Sequence, residues 1–201
     1  MSRWLIVALV VIALGASPVT AGEPTDALKE RVDRVLRLLE QPGDQRAEIR
    51  RIAEEIFDFE EIARRALGPH WKARTPEERR EFVRLFTDLL ERTYVGRLES
   101  GRGGSVVYVG ESVEGDTATV RTRVLTPQRT EIPVDYRMRR QSGAWRIYDV
   151  SIEGVSLVAN YRSQFNAVIQ SGGYEALVER LRSKEPDAAA SPAPPRRPRR
   201  E

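Results

Sequence analysis

Residues 105–152 read SVVYVGESVEGDTATVRTRVLTPQRTEIPVDYRMRRQSGAWRIYDVSI, and their period of two decides the fold. Four runs, 105–110, 117–125, 131–140 and 144–152, alternate apolar and polar residues or carry the β-branched and aromatic residues of strands. In the second, Ala118, Val120, Thr122 and Val124 alternate with Thr119, Arg121 and Arg123; in the third, Ile132, Val134, Tyr136 and Met138 alternate with Asp135, Arg137 and Arg139. One face is apolar and the other wet, the pattern of an antiparallel meander of four strands. Pro133 has no N–H to give a ladder, so its strand is expected at an edge or carrying a bulge there. A bulge curls a sheet, and curvature makes room for a cavity.

On the N-terminal side the period changes to that of helices. Leu28, Val32, Val35, Leu36 and Leu39 share one helical face, and Pro42-Gly43 breaks it. A short helix from about Asp44 follows, with Ile49, Ile52, Ala53 and Ile56 inward, then a second opening with Asp58 as N-cap and Glu61 three residues on, up to Gly68-Pro69. Thr75, Pro76 and Glu78 are a stronger start signal, leading into Phe82, Leu85, Phe86, Leu89, Leu90, Val95 and Leu98. This is expected to be the longest helix, ending by Gly101, with the Tyr94 hydroxyl at the rim of whatever its apolar face covers.

Beyond Gly154 the helical period returns with Val158, Tyr161, Phe165, Val168 and Ile169, and Gly172-Gly173 separates a last helix from Tyr174 to about Arg182. The Ala, Ser, Pro and Arg content after Lys184 cannot offset the entropy of ordering, so residues 185–201 are expected to be a disordered tail. At the other end, Arg3, the apolar run from Trp4 to Leu14 and the small residues around Val19-Thr20-Ala21 form the layout of an export signal cleaved after Ala21. That apolar run is far short of the roughly 20 residues a membrane-spanning helix needs. The 201-residue chain thus divides into a leader, 1–21, one domain, 22–184, and the tail.

The absence of cysteine excludes a disulfide framework, a zinc-thiolate site and a cysteine nucleophile. Without the leader and its Arg3, 32 basic residues face 30 acidic ones, a net +2, and no nucleic-acid footprint is visible. His70 is the only histidine, no serine sits in a Gly-x-Ser-x-Gly elbow, and Gly101, Gly103 and Gly104 precede a strand and not a helix. No hydrolase triad, phosphate-cradling loop or metal site emerges, and the chain is read as a non-enzyme. The rival enzyme reading needs a buried acid or base such as Tyr148 or Asp149 facing a small apolar substrate. What the sequence supplies instead is apolar and aromatic material on long elements, and a curved sheet closed by amphipathic helices commonly encloses a pocket with few polar groups.

Two long segments carry a resemblance. FDFEEIARRALGPHW at Phe57 to Trp71 leads through TPEERREFVRLFTDLLERTY at Thr75 to Tyr94, and GAWRIYDVSIEGVSLVANYRSQFNAVIQSGG spans Gly143 to Gly173. Together they resemble the MlaC family, also called toluene-tolerance proteins. The resemblance implies an α+β fold, a twisted four-stranded antiparallel sheet wrapped by about six helices around an apolar lipid pocket. It further implies a periplasmic phospholipid carrier, with no cofactor beyond its cargo, working between an outer-membrane lipoprotein complex and an inner-membrane ABC transporter bearing an MCE-domain ring. A monomer is expected. A hopanoid-type cargo and a lipoprotein-chaperone role are the alternatives within reach of the same architecture. The residues whose faces point to the sheet–helix interior, and so are expected to line the lipid, are Phe86, Leu90, Tyr94, Val120, Val124, Val134, Tyr136, Trp145, Ile147, Tyr161 and Phe165.

Overall fold

The N-terminal helices form where the apolar spacing is 3.6 and end where proline or glycine interrupts it. In the computed structural model, which describes residues 23–100 and 103–183 and the side chains of all but 97–100 among them, α1 spans Glu23–Glu40, α2 Arg46–Ile56 and α3 Phe59–Leu67. The leader expected over 1–21 and the tail expected over 185–201 lie outside the described residues. Asp58 caps α3, its carboxylate accepting the Glu61 N–H at 3.0 Å. A 3-10 turn, Gly68–Ala73, then leads to α4, Pro76–Ser100. Thr75 and Glu78 form the reciprocal box that starts α4: the Glu78 N–H donates to Thr75 Oγ1 at 3.2 Å and the Thr75 N–H to Glu78 Oε2 at 2.7 Å.

The sheet follows in simple meander order, every neighbour antiparallel: β1 Ser105–Glu114, β2 Thr117–Leu125, β3 Glu131–Gln141, β4 Ala144–Ile152 and β5 Val155–Ser156. Five strands replace the expected four, because Val155-Ser156 pairs with Ser151 and Ile152, a strand too short to show a period. The first strand also runs past residue 110 to Glu114, across a bulge at Val109 between the pairs Tyr108 to Thr122 and Gly110 to Arg121. The expectation for Pro133 is wrong on both counts. β3 lies between β2 and β4, and the second irregularity is further along, where Arg137 pairs with Asp149 and Met138 with Ile147, leaving Tyr148 extra. Pro133 is tolerated because its carbonyl already faces the β4–β5 turn, accepting the Glu153 N–H at 2.9 Å, and the chain leaves the ladder there. An antiparallel residue points its nitrogen and its carbonyl to the same side, so the missing donor falls where there is no strand to receive it.

The helical stretch after Gly154, α5, Leu157–Ser183, is the expected pair of helices meeting at Gly173, whose backbone is not helical. Gly173, at φ 81° and ψ 177°, bends it. The bend returns Tyr174, Leu177, Val178 and Leu181 to the interior, where the Tyr174 hydroxyl donates to the Glu78 carbonyl at 3.2 Å, and at the surface Arg182 pairs with Glu81 at 2.6 Å. Among the described residues no helix is long and apolar enough to cross a membrane.

Candidate functional site

The apolar interior divides into two clusters. The first is helical: Ile62, Ala66 and Leu67 of α3, Phe82, Phe86, Leu89 and Leu90 of α4, and Tyr161, Phe165, Leu177 and Leu181 of α5, with Trp71 of the 3-10 turn. At its centre the Phe86 ring meets Tyr161 at 4.9 Å and Phe165 at 5.1 Å, both edge-on. Of the residues expected to line a pocket, Phe86, Leu90, Tyr161 and Phe165 are buried in this cluster, and Tyr94 sits half-buried against it.

The second cluster joins the apolar face of the sheet to α1 and α2: Ala118, Val120, Met138, Trp145 and Ile147 against Leu28 and Ile56. Val120, Trp145 and Ile147 from the expected set are buried here, with Tyr136 half-buried beside them; Val134 is buried and Val124 half-buried on the same face. The structure therefore divides the expected residues other than Val124 and Val134 between two packed clusters, with Phe57 touching both. α4 packs closely on α3 and α5, whereas α1, α2, α3 and α5 all approach strands.

Next to the sheet cluster lie side chains that packing does not close. Val32 of α1, Tyr108 of β1, Tyr136 of β3 and Val150 of β4 all keep part of their surface accessible although they face inward. Tyr136 shows this most clearly. Burial pushes its hydroxyl up to about 12, and that hydroxyl bonds Thr122, whose own Oγ1 donates to the Val134 carbonyl at 3.0 Å. Tyr108 is likewise pushed up, chiefly by burial and then by Tyr136, and its Oη has no hydrogen-bond partner among the described residues. Sequence reading passed over Val32, Tyr108 and Val150. Val150 changes face because Tyr148 bulges, and Tyr108 directly precedes the Val109 bulge, so the period-two signal fails at those points.

A charged junction fixes α3 to the sheet. Asp58 Oδ2 accepts from Arg139 Nε at 2.9 Å and Nη2 at 2.6 Å, while the Asp58 N–H donates to the Ile147 carbonyl at 2.8 Å. Glu61 beside it is buried, which alone would raise its pKa, but hydrogen bonds from Arg64 and Arg65 outweigh burial and hold it below the usual carboxylate range. Asp149, the acid of the enzyme alternative, serves the start of α5: its oxygens accept from Ser156 Oγ at 2.7 Å, the Val158 N–H at 3.1 Å and Arg137 Nη1 at 3.4 Å, and Ser156 Oγ in turn accepts the Ala159 N–H. His70 lies in the 3-10 turn with Nε2 2.9 Å from Asn166 Oδ1. No group of acidic or histidine residues among those described could hold a metal ion.

Two open clefts mark the surface. One, of about 440 Å³, is lined by Phe57, Asp58, Phe59, Arg146 and the β3–β4 turn; the other, of about 340 Å³, by Trp71, Pro76, Arg79 and Val83. None of the residues expected to line lipid borders either.

The model of the family described as "MlaC protein" matches residues 26–183. The intermembrane phospholipid transport system binding protein MlaC of Haemophilus influenzae is 22% identical over 150 residues, 72% of this chain and 70% of that protein. The toluene tolerance protein ttg2D of Pseudomonas putida is 24% identical over 127 residues, 62% of this chain and 59% of its own length. Among solved structures, a phospholipid-binding protein from Ralstonia solanacearum in complex with a phospholipid superimposes with a TM-score of 0.71 at 29% identity, covering 81% of this chain and 96% of that one.

Proposed function

This chain belongs to the MlaC family, and from that premise we propose that it is a periplasmic carrier holding the acyl chains of a glycerophospholipid between the inner face of its sheet and its helices. The observation that carries the reading is the set of inward-facing apolar side chains left incompletely covered beside a fully packed cluster, Val32, Tyr108, Tyr136 and Val150. A domain that had only to be stable would close such surface by packing. The relatives supply the chemical class, since one is named for phospholipid transport and another holds a phospholipid.

The residues that line the cargo are, on this reading, Val124, Val134 and Tyr136 from the sheet and Tyr94 from α4, joined by Val32, Tyr108 and Val150. Phe86, Leu90, Tyr161 and Phe165 hold the helices to one another, as Val120, Trp145 and Ile147 hold the sheet to α1 and α2. Transfer energetics dictate the mechanism. At about 0.8 kcal/mol per methylene, two chains of roughly 15 methylenes cost about 24 kcal/mol to expose to water, so free diffusion of the lipid is negligible. A lining as apolar as the bilayer makes extraction nearly thermoneutral, and direction is then set by the partners: an outer-membrane lipoprotein complex at one end and an inner-membrane ABC transporter with an MCE-domain ring at the other. The leader over 1–21 exports the chain, and the head group stays at the mouth of the site.

Native mass spectrometry of the processed chain from bacterial periplasm, with extraction and identification of what is bound, tests the reading. A phospholipid adduct is expected; a hopanoid adduct would keep the carrier and change its cargo. A lipid-free mass under gentle ionisation, with no uptake from liposomes, would overturn it.

A further inference from the structure

Tyr108 presents a chemical problem that the fold leaves open. Its hydroxyl oxygen is buried and without a partner among the described residues, although a buried phenol normally finds one. Tyr136, its neighbour on the same face, does so through Thr122. Beside the ring stands an exposed ion pair, Lys29 with Asp33, with Lys29 Nζ 5.9 Å from the ring centre, while the hydroxyl oxygen itself is buried. Leaving a hydroxyl buried and unpaired costs free energy that a bound acceptor would return.

We infer that the Tyr108 hydroxyl donates a hydrogen bond to an ester carbonyl oxygen of the bound lipid, making Tyr108 a specificity-determining residue for ester-linked over ether-linked chains. The inference rests on the carrier reading above. Depth selects the carbonyl: in a lipid whose phosphate lies at the rim, where Lys29 is, the next acceptors inward are the ester carbonyls, and the chains beyond them offer none. A diether lipid of the same head group and chain length fills the same volume but lacks that acceptor. A site built to bond a polar group disfavours the analogue without it, because the protein donor is then left unpaired.

The test is competition between a diester and a diether phosphatidylethanolamine of matched chains for the delipidated full chain, with the bound ratio read by extraction and mass spectrometry. The unsubstituted chain is expected to favour the diester about fivefold to tenfold, the net worth of one hydrogen bond. Tyr108→Phe, which keeps the ring and its packing, should bring the ratio to about one, and Tyr148→Phe, at a phenol outside the lining whose ring lies under Arg65, should leave the preference in place. A preference that survives Tyr108→Phe, or no preference in the unsubstituted chain while both lipids bind, overturns the inference alone. Failure of the unsubstituted chain to take up either lipid overturns the carrier reading as well.

Discussion

Phe86→Ala separates residues that hold the fold from residues that hold cargo. Phe86 is 1% exposed, with Phe82, Tyr161 and Phe165 around it at ring distances of 5.8, 4.9 and 5.1 Å. Removing a buried phenylalanine ring costs about 3–5 kcal/mol in lost transfer energy and residual cavity, and the edge contacts to Tyr161 and Phe165 keep this site from the low end of that range, at about 4 kcal/mol. In a domain of this size such a loss lowers Tm by about 8–16 °C. Thermal unfolding followed by circular dichroism, with and without saturating phospholipid, is the assay. A ligand that binds only the folded state raises stability by RT ln(1 + [L]/Kd), about 2.7 kcal/mol at a hundredfold excess over Kd. If Phe86 is packing alone, that increment is the same in the variant and in the parent, and only the baseline falls. A variant whose Tm is barely moved while its lipid increment collapses would refute the division of the interior described above and return Phe86 to the lipid lining.

Val134→Trp should lower lipid occupancy by more than half while the far-ultraviolet spectrum is retained, and occupancy measured by extraction that does not change removes Val134 from the lining. Asp149→Ala strips the acceptor from Ser156 Oγ and the Val158 N–H at the start of α5, and a loss of about 2 kcal/mol is expected in urea unfolding, with Asp149→Asn milder. Glu61 has a folded pKa held below its ordinary 4.5, so its ionisation stabilises the fold above that value and the contribution disappears as pH falls through the lower, folded value. Urea midpoints compared at neutral pH and near pH 3 should therefore fall more steeply in the parent than in Glu61→Gln; equal slopes would place the acid sensitivity elsewhere.

Strand boundaries were legible where alternation is carried by apolar residues, as in β2 and β3, and illegible where it is not: Glu111, Ser112 and Glu114 give the second half of β1 no apolar face. The helix starts were readable because Asp58, Thr75 and Glu78 act within one turn of themselves. Side-chain facing was harder, since one extra residue reverses parity, and the Tyr148 bulge puts Val150 on the inner face while Asp149 and Ser151 are buried on the other. Which apolar faces meet is a tertiary matter that no local period encodes. Phe86, Tyr161 and Phe165 on one side, and Val120, Trp145 and Ile147 on the other, are indistinguishable as apolar stripes until the helices are seen to choose one another.

The division of the interior at Phe57 bears on what the molecule can accommodate. A single close-packed core resists expansion and admits a guest only by repacking many side chains at once. Two blocks, each internally saturated, can instead change their spacing as bodies. The junction between them joins α3 to β3 and β4, through the Arg139 fork on Asp58 and the Asp58 N–H on the Ile147 carbonyl, so the bonds that hold the two blocks in register are few and directional.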